Sequence, residues 1–222
     1  MDTQEYKVTK LKKATLNYTA YKAIKKRILS GDIPEGTKLS EIQMGNQLGV
    51  SATPVREAFR MLDTEGLLKI VPYKGAIVTS YSPLAALEAT QCREALECMA
   101  LRLYMQSDKV DTGIDTLKAM LEQAEGAENI DDFVKISSAI HDIWIKGCGN
   151  TKVAELITQL KSVILRESNM SANDKHRRKE IIKEHYKLLE AMQNKNADIA
   201  CEALYVHLEN GYLYGRNKNM VK

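Results

Sequence analysis

The chain has 222 residues, 44% of them hydrophobic and 27% charged, which is enough apolar side chain to bury a core in one large domain or two small ones. No apolar run approaches the roughly 20 residues that cross a bilayer, and Met1 to Lys13 is polar and basic, so neither a membrane span nor a secretory leader is expected and a cytoplasmic location is. The net charge of +3 conceals an asymmetry: residues 1–80 hold 13 Lys/Arg against 8 Asp/Glu, or +5, and the remainder holds 19 against 21, or −2.

A basic arm, residues 1–16, opens the chain with the run Lys10-Leu11-Lys12-Lys13. Taken alone, such a run is more often a solvated face than a binding site, so charge nominates a polyanion partner without proving one. Tyr21, Ile24, Ile28 and Leu29 then recur at helical spacing, and "SGDIPEGTKL" stops that helix as a turn. Ser40 stands three residues before Gln43, the spacing of a capping box, and begins a short helix that Gly49 ends. Ser51 is placed to cap a third helix running to about Glu65, with Pro54 tolerated in its first turn and Gly66 closing it. "LLKIVPYKGAIVTSY" follows as two short β-prone runs around Pro72-Tyr73-Lys74-Gly75, which reads as a hairpin. Helix, helix, turn, helix and hairpin make a winged helix-turn-helix, assigned to residues 1–80.

That order gives the third helix, in "LGVSATPVREAFRMLDTEGLL", a task. A helix with a small polar start fits the major groove, where Thr53 can meet a phosphate or base edge and Arg56 a guanine or the backbone, while Ala58, Phe59 and Leu62 face the core. The helix starts at Ser40 and Ser51 can hold phosphates, and Lys74 at the hairpin tip can reach the DNA backbone. The alternative for Arg56 is a surface pair with Glu57 or Asp63.

"LSEIQMGNQLGVSATPVREAFRMLDTEGLL" followed by "PYKGAIV" resembles the DNA-binding domain of GntR-family transcriptional regulators, whose signature runs roughly L-x-E-x-x-L-A-x-x-L-G-V-S-R-T-P-V-R-E-A. The resemblance implies double-stranded DNA as partner and carries Ser51, Thr53, Arg56 and the wing-tip Gly75 over as DNA-binding positions. Two departures stand out. Ala52 occupies the place of an arginine that contacts DNA in the family, and Gly45 that of a helix-favouring alanine.

Residues 81–222 begin with a linker, "SYSPLAALEA", and continue as amphipathic helices expected at roughly 84–106, 111–126, 130–146, 151–168, 175–193 and 196–214. The fold class is therefore mostly α, a winged helix-turn-helix followed by an all-α bundle, and bundles place ligands between facing helices. His141 shares a face with Val134, Ser137, Trp144 and Ile145; His185 with Ile181, Ile182, Leu188 and Leu189; His207 with Ala203, Leu204 and Gly211. Residue 196 is the midpoint between His185 and His207. At about 1.5 Å per residue each lies roughly 15 Å from the turn, so in an antiparallel pair the two imidazoles sit level. Any one of the three is more often a core histidine; as a set facing one cavity they point to a divalent metal site. His176, within "KHRRKE", reads as a surface residue. Cys92, Cys98, Cys148 and Cys201 are scattered without a close CxxC pair, and read as small buried hydrophobes rather than a disulfide framework or zinc site.

This half resembles the FCD effector domain of the FadR subfamily of GntR regulators, carried by "SAIHDIWIKGCGN", "KEHYKLLEAM" and "YVHLENG". The resemblance implies a divalent ion, zinc or nickel, on His141, His185 and His207 at the floor of a carboxylate-binding cavity. It further implies that Arg93, in "QCREALECMA", reaches the effector, with Ser137 and Asn150 beside it. Ser137, however, occupies the place of the family's aspartate. Loss of that charged donor weakens the site, and Asp142, turned about 100° away along the helix, does not replace it. For Arg93 the alternative is a surface pair with Glu97 at i, i+4. The reading is a homodimeric, ligand-responsive DNA-binding regulator acting on a two-fold operator. A metal hydrolase built on the histidines competes with it, but there is no HExxH, nucleophile elbow or phosphate loop, and no acid beside the histidines to act as base. A regulator whose effector binds without metal is the other alternative.

Overall fold

The first helix, α1 (Glu5–Leu29), lays Ala20, Tyr21 and Ile24 against Val55, Ala58, Phe59 and Leu62 of the third, α3 (Ala52–Thr64), with α2 (Glu41–Leu48) packed on α3. These side chains are buried almost completely, and burying Ile24, Val55, Phe59 and Leu62 is worth about 1.5–3 kcal/mol each over exposure. The computed structural model describes residues 5–72 and 75–220, with side chains from 16 to 218; Lys12, Lys13 and Lys74 thus lie outside the described side chains. The chain divides into two compact units, residues 1–81 and 82–222.

Helix starts and stops follow local chemistry. The Ser40 hydroxyl accepts from the Gln43 amide, and Gly49, with φ 67°, closes α2 by donating to the carbonyls of Asn46 and Gly45. Ser51 occupies the N-cap position of α3, but contrary to expectation its hydroxyl makes no capping bond. The third helical residue there is Pro54, which has no amide to donate, so one of the two usual partners of a capping oxygen is missing.

The wing also differs from the expected hairpin. Strands β2 (Leu68–Val71) and β3 (Gly75–Val78) pair antiparallel from Leu68 opposite Val78 to Val71 opposite Gly75. A short strand β1 (Lys38–Leu39), taken from the sequence as part of a turn, adds to the other edge of β3 and makes a three-stranded sheet of order β1-β3-β2. Two residues are too few to show alternation, and this strand exists because β3 offers its free edge. Gly75 is required by the backbone: φ is 84°, and a Cβ there would collide with the Leu39 carbonyl oxygen.

The second unit is a bundle of α4 (Pro83–Met105), α5 (Val110–Glu125), α6 (Ile130–Gly147), α7 (Thr151–Gln159), α8 (Lys161–Ala172), α9 (Lys175–Gln193) and α10 (Ala197–Met220). One core of Leu101, Leu117, Leu121, Ile140, Trp144, Leu188, Met192, Leu204 and Leu208 joins α4, α5, α6, α9 and α10. The single helix expected over 151–168 is two helices that break at Leu160, whose amide bonds the Ile157 carbonyl in a tighter turn. No glycine or proline marks that break. Its consequence is that α8 turns to pack on α4, α6, α9 and α10.

Candidate functional site

Those four helices also carry the polar cluster of the bundle. The ligating atoms of His141 on α6, His185 on α9 and His207 on α10 all lie within 4.8 Å of one another. The rings of His185 and His207 have centroids 4.3 Å apart, and His141 lies 5.3 Å from the first and 5.2 Å from the second. The turn between α9 and α10 is only three residues long, with Lys195 at φ 53°, and so sets the two helices antiparallel with these residues level.

Each imidazole is fixed through its other edge. His141 Nδ1 lies 2.6 Å from Glu97 Oε2, His207 Nδ1 lies 2.8 Å from Glu184 Oε2, and His185 hydrogen-bonds the Ile181 backbone. A carboxylate only accepts, so Nδ1 carries the proton in the bonds of His141 and His207, which turns each Nε2 toward the cluster. His141 Nε2 and His185 Nε2 face each other at 3.3 Å. Two nitrogens bound to one ion at about 2.1 Å stand roughly 3.0–3.4 Å apart, so this spacing suits a shared cation. Burial pushes His185 well below its ordinary pKa and, despite the bond to Glu184, lowers His207 to about 4. Both are neutral at pH 7, the form that ligates metal.

The expectation that no acid stands beside the histidines is corrected by Glu97 and Glu184, which hydrogen-bond His141 and His207. Glu97 is fully buried and accepts from Arg93 Nε at 2.8 Å and Trp144 Nε1 at 3.3 Å besides His141. Burial opposes its charge, yet Arg93 and His141 beside it hold its pKa well below the usual carboxylate range. The Arg93–Glu97 pair weighed above therefore exists, but Glu97 is buried and Arg93 nearly so, at 1% and 12% side-chain exposure, which corrects its placement on a surface. Glu184 is the counterpart on α9: it binds His207, the Asn210 amide and both terminal nitrogens of Arg177, and although burial opposes its charge its pKa is lowered. Arg177 is buried inside the run "KHRRKE", whose neighbour His176 is exposed as expected. Adjacent charges in one helical run face different ways, which composition does not show.

Ser137 stands one turn before His141 on α6 and is half-buried. Asn150 is exposed, and its side-chain oxygen caps α7 by accepting from the Lys152 and Val153 amides. On α8, Asn169 is fully buried; its amide nitrogen donates to the Leu165 carbonyl, while Oδ1 has no partner. A buried acceptor without a donor among the described residues costs free energy.

In the first unit, Ser51, Thr53 and Arg56 are exposed together at the start of α3, and Ser40 is half-buried at the start of α2. Arg56 pairs with neither Glu57 nor Asp63. It grips Glu41 at the start of α2 through Nε at 2.9 Å and a terminal nitrogen at 2.7 Å. Glu57 instead takes Arg60, and Asp63 accepts from the Ile70 amide. Gly75 shapes the wing through its backbone.

Two family models match the chain: that of bacterial regulatory proteins, gntR family, over residues 16–78, and that of the FCD domain over residues 88–210. Similar proteins include an uncharacterized HTH-type transcriptional regulator, YdhC, from Bacillus subtilis, 28% identical over 89% of this chain and 90% of that protein. The HTH-type transcriptional repressor RspR of Escherichia coli is 24% identical over 87% and 86%. Among solved structures, E. coli McbR/YncC covers 91% of this chain and 98% of its own with a TM-score of 0.62 at 20% identity, a likeness of fold.

Proposed function

The chain belongs to the GntR family of bacterial regulatory proteins, in the group that carries an FCD domain, and is a transcriptional regulator; from this premise we propose a divalent metal and a small carboxylate effector in its helical unit, acting on operator affinity. The protein works in the cytoplasm as a homodimer on a two-fold operator, with α3 in the major groove and Lys74 on the DNA backbone. Thr53 and Arg56 would supply the groove contacts, with Ser40 and Ser51 at the two helix starts that receive phosphates.

The observation that carries the effector reading is the facing pair of Nε2 atoms. With the proton of each ring on Nδ1, the two Nε2 lone pairs meet at 3.3 Å and one cation between them satisfies both, with His207 beside them. His141, His185 and His207 would hold the ion, and as neutral ligands they would leave it positively charged, so that it would supply attraction for a carboxylate. Arg93 uses Nε on Glu97, and its terminal nitrogens make no hydrogen bond among the described residues, which leaves a planar fork for the same anion. Ser137 stands one turn before His141 on α6, and the Asn150 side chain, whose oxygen caps α7, would offer its amide nitrogen.

Elemental analysis of the purified full chain, followed by zinc and nickel titration after chelation, tests this. His185→Ala is expected to abolish uptake and Ser137→Asp to tighten it. A wild-type protein that carries no metal, with a Ser137→Asp variant that gains none, would leave an effector site without an ion.

A further inference from the structure

Cys98 and Cys201 are 103 residues apart in sequence, yet α4 and α10 bring them into reciprocal contact. The Cys98 sulfur lies 3.6 Å from the Cys201 carbonyl oxygen, and the Cys201 sulfur 3.6 Å from the Cys98 carbonyl oxygen. This corrects the picture of four scattered, buried cysteines: Cys92 is exposed, Cys98 and Cys148 are half-buried, and Cys201 alone is buried. We propose that Cys98 and Cys201 form a redox modification site, oxidised by hydrogen peroxide to a disulfide that ties α4 to α10.

The surroundings divide the two roles. The hydrogen bond from Cys98, followed by the positive charge of Arg102, brings Cys201 down to about 7 against burial and the charge of Asp198; the same contact pushes Cys98 up. Arg102 sits one turn after Cys98 and is itself held by Asp198 at 2.6 Å, so a cation is fixed beside the sulfur pair, while Glu94 lies on the Cys98 side. In the proposed site Cys201 is the attacking thiolate and Cys98 the resolving thiol, an assignment that the two serine variants separate. In the first step the Cys201 sulfur takes one peroxide oxygen, the O–O bond breaks, and the hydroxide released takes up the proton that Cys201 lost, giving water and a sulfenic acid. In the second the Cys98 sulfur attacks the Cys201 sulfur, the S–O bond breaks, and the departing hydroxide leaves as water with the Cys98 proton. The pair is oxidised by two electrons and the peroxide reduced to two waters. Cys98 adjoins Glu97, and α10 also carries His207, so the tie fixes both helices that shape the imidazole cluster.

The test needs neither metal nor DNA, so its outcome is independent of the function proposed above. The full chain is exposed to hydrogen peroxide, quenched, alkylated under denaturing conditions and mapped by mass spectrometry. Expected is a Cys98–Cys201 peptide lighter than the two thiol peptides together by two hydrogens and restored by dithiothreitol. In Cys98→Ser, a sulfenic acid trapped by dimedone should accumulate at Cys201; in Cys201→Ser, Cys98 should remain a thiol. The wild-type result stands even if a variant fails to fold. The proposal is overturned if Cys98 and Cys201 both remain alkylatable while exposed Cys92 is oxidised, or if the only disulfides found join Cys92 or Cys148.

Discussion

Replacing Glu97 by glutamine keeps the shape of the side chain and removes its charge, at a carboxylate with essentially no solvent exposure. The native group takes Arg93 at 2.8 Å, His141 at 2.6 Å and Trp144 at 3.3 Å. All three bonds end on the carboxylate charge, at about 1.5–3 kcal/mol each, and removing one member of a buried ion pair costs roughly 3–5 kcal/mol. Arg93 retains 12% side-chain exposure and recovers part of its hydration, so the expected loss is about 3 kcal/mol. Urea unfolding of chelator-treated protein, followed by helical circular dichroism, reads it as a lower midpoint at unchanged slope. Because both residues act through one carboxylate, Arg93→Met with Glu97→Gln should cost less than the sum of the single changes. The affinity of the proposed metal site should also fall, by about 10- to 100-fold, since the carboxylate orients the His141 ring. A Glu97→Gln protein within about 0.5 kcal/mol of wild type would refute the view that this buried carboxylate anchors the site.

Acid should unfold the metal-free protein in two stages. His207 lies at about 4 when folded against an ordinary 6.5, and His185 is shifted the same way. The unfolded chain therefore takes up protons first, and stability, complete above 6.5, falls as pH drops toward 4, by on the order of 3 kcal/mol for His207 alone. The carboxylates of Glu97 and Glu184 are shifted below 4.5, so their contribution is lost only at more acid pH; a flat urea midpoint between pH 7 and 5 would count against neutral buried histidines. Gly75→Ala should destabilise the first unit by about 1–3 kcal/mol, seen in its melting, because the positive φ and the Leu39 carbonyl both resist a Cβ. Arg56→Ala should weaken operator binding by about 1–3 kcal/mol and relax preference at one base, whereas Lys74→Ala should weaken binding evenly; gel-shift titrations in which Arg56→Ala binds as wild type would remove α3 from the groove. With Ala52 at a family contact position, selection from random DNA should return a motif with poor discrimination at one base.

The winged helix-turn-helix was legible because its signals are local. Turn glycines, the Ser40 start and the apolar face of α3 act within a few residues of each other, and Ala58, Phe59 and Leu62 are buried where periodicity put them. The level of His185 and His207 was legible for the same reason, since helix rise and a short turn fix it. Hidden were the features that depend on a partner distant in sequence. Strand β1 needs the edge of β3, and Arg56 chooses Glu41 across 15 residues over its neighbour Glu57. The Leu160 break carries no helix breaker and follows from α8 packing on four helices at once. Glu97 and Glu184 look like surface acids in sequence, and only the bundle shows them buried behind histidines 44 and 23 residues away. Cys98 and Cys201 are the extreme case, meeting across 103 residues. Sequence alone determined the element types and the faces they present, because helix and turn periodicity act over a few residues. Tertiary structure decided which charges and thiols meet, because burial and pairing depend on helices that only the folded chain brings together.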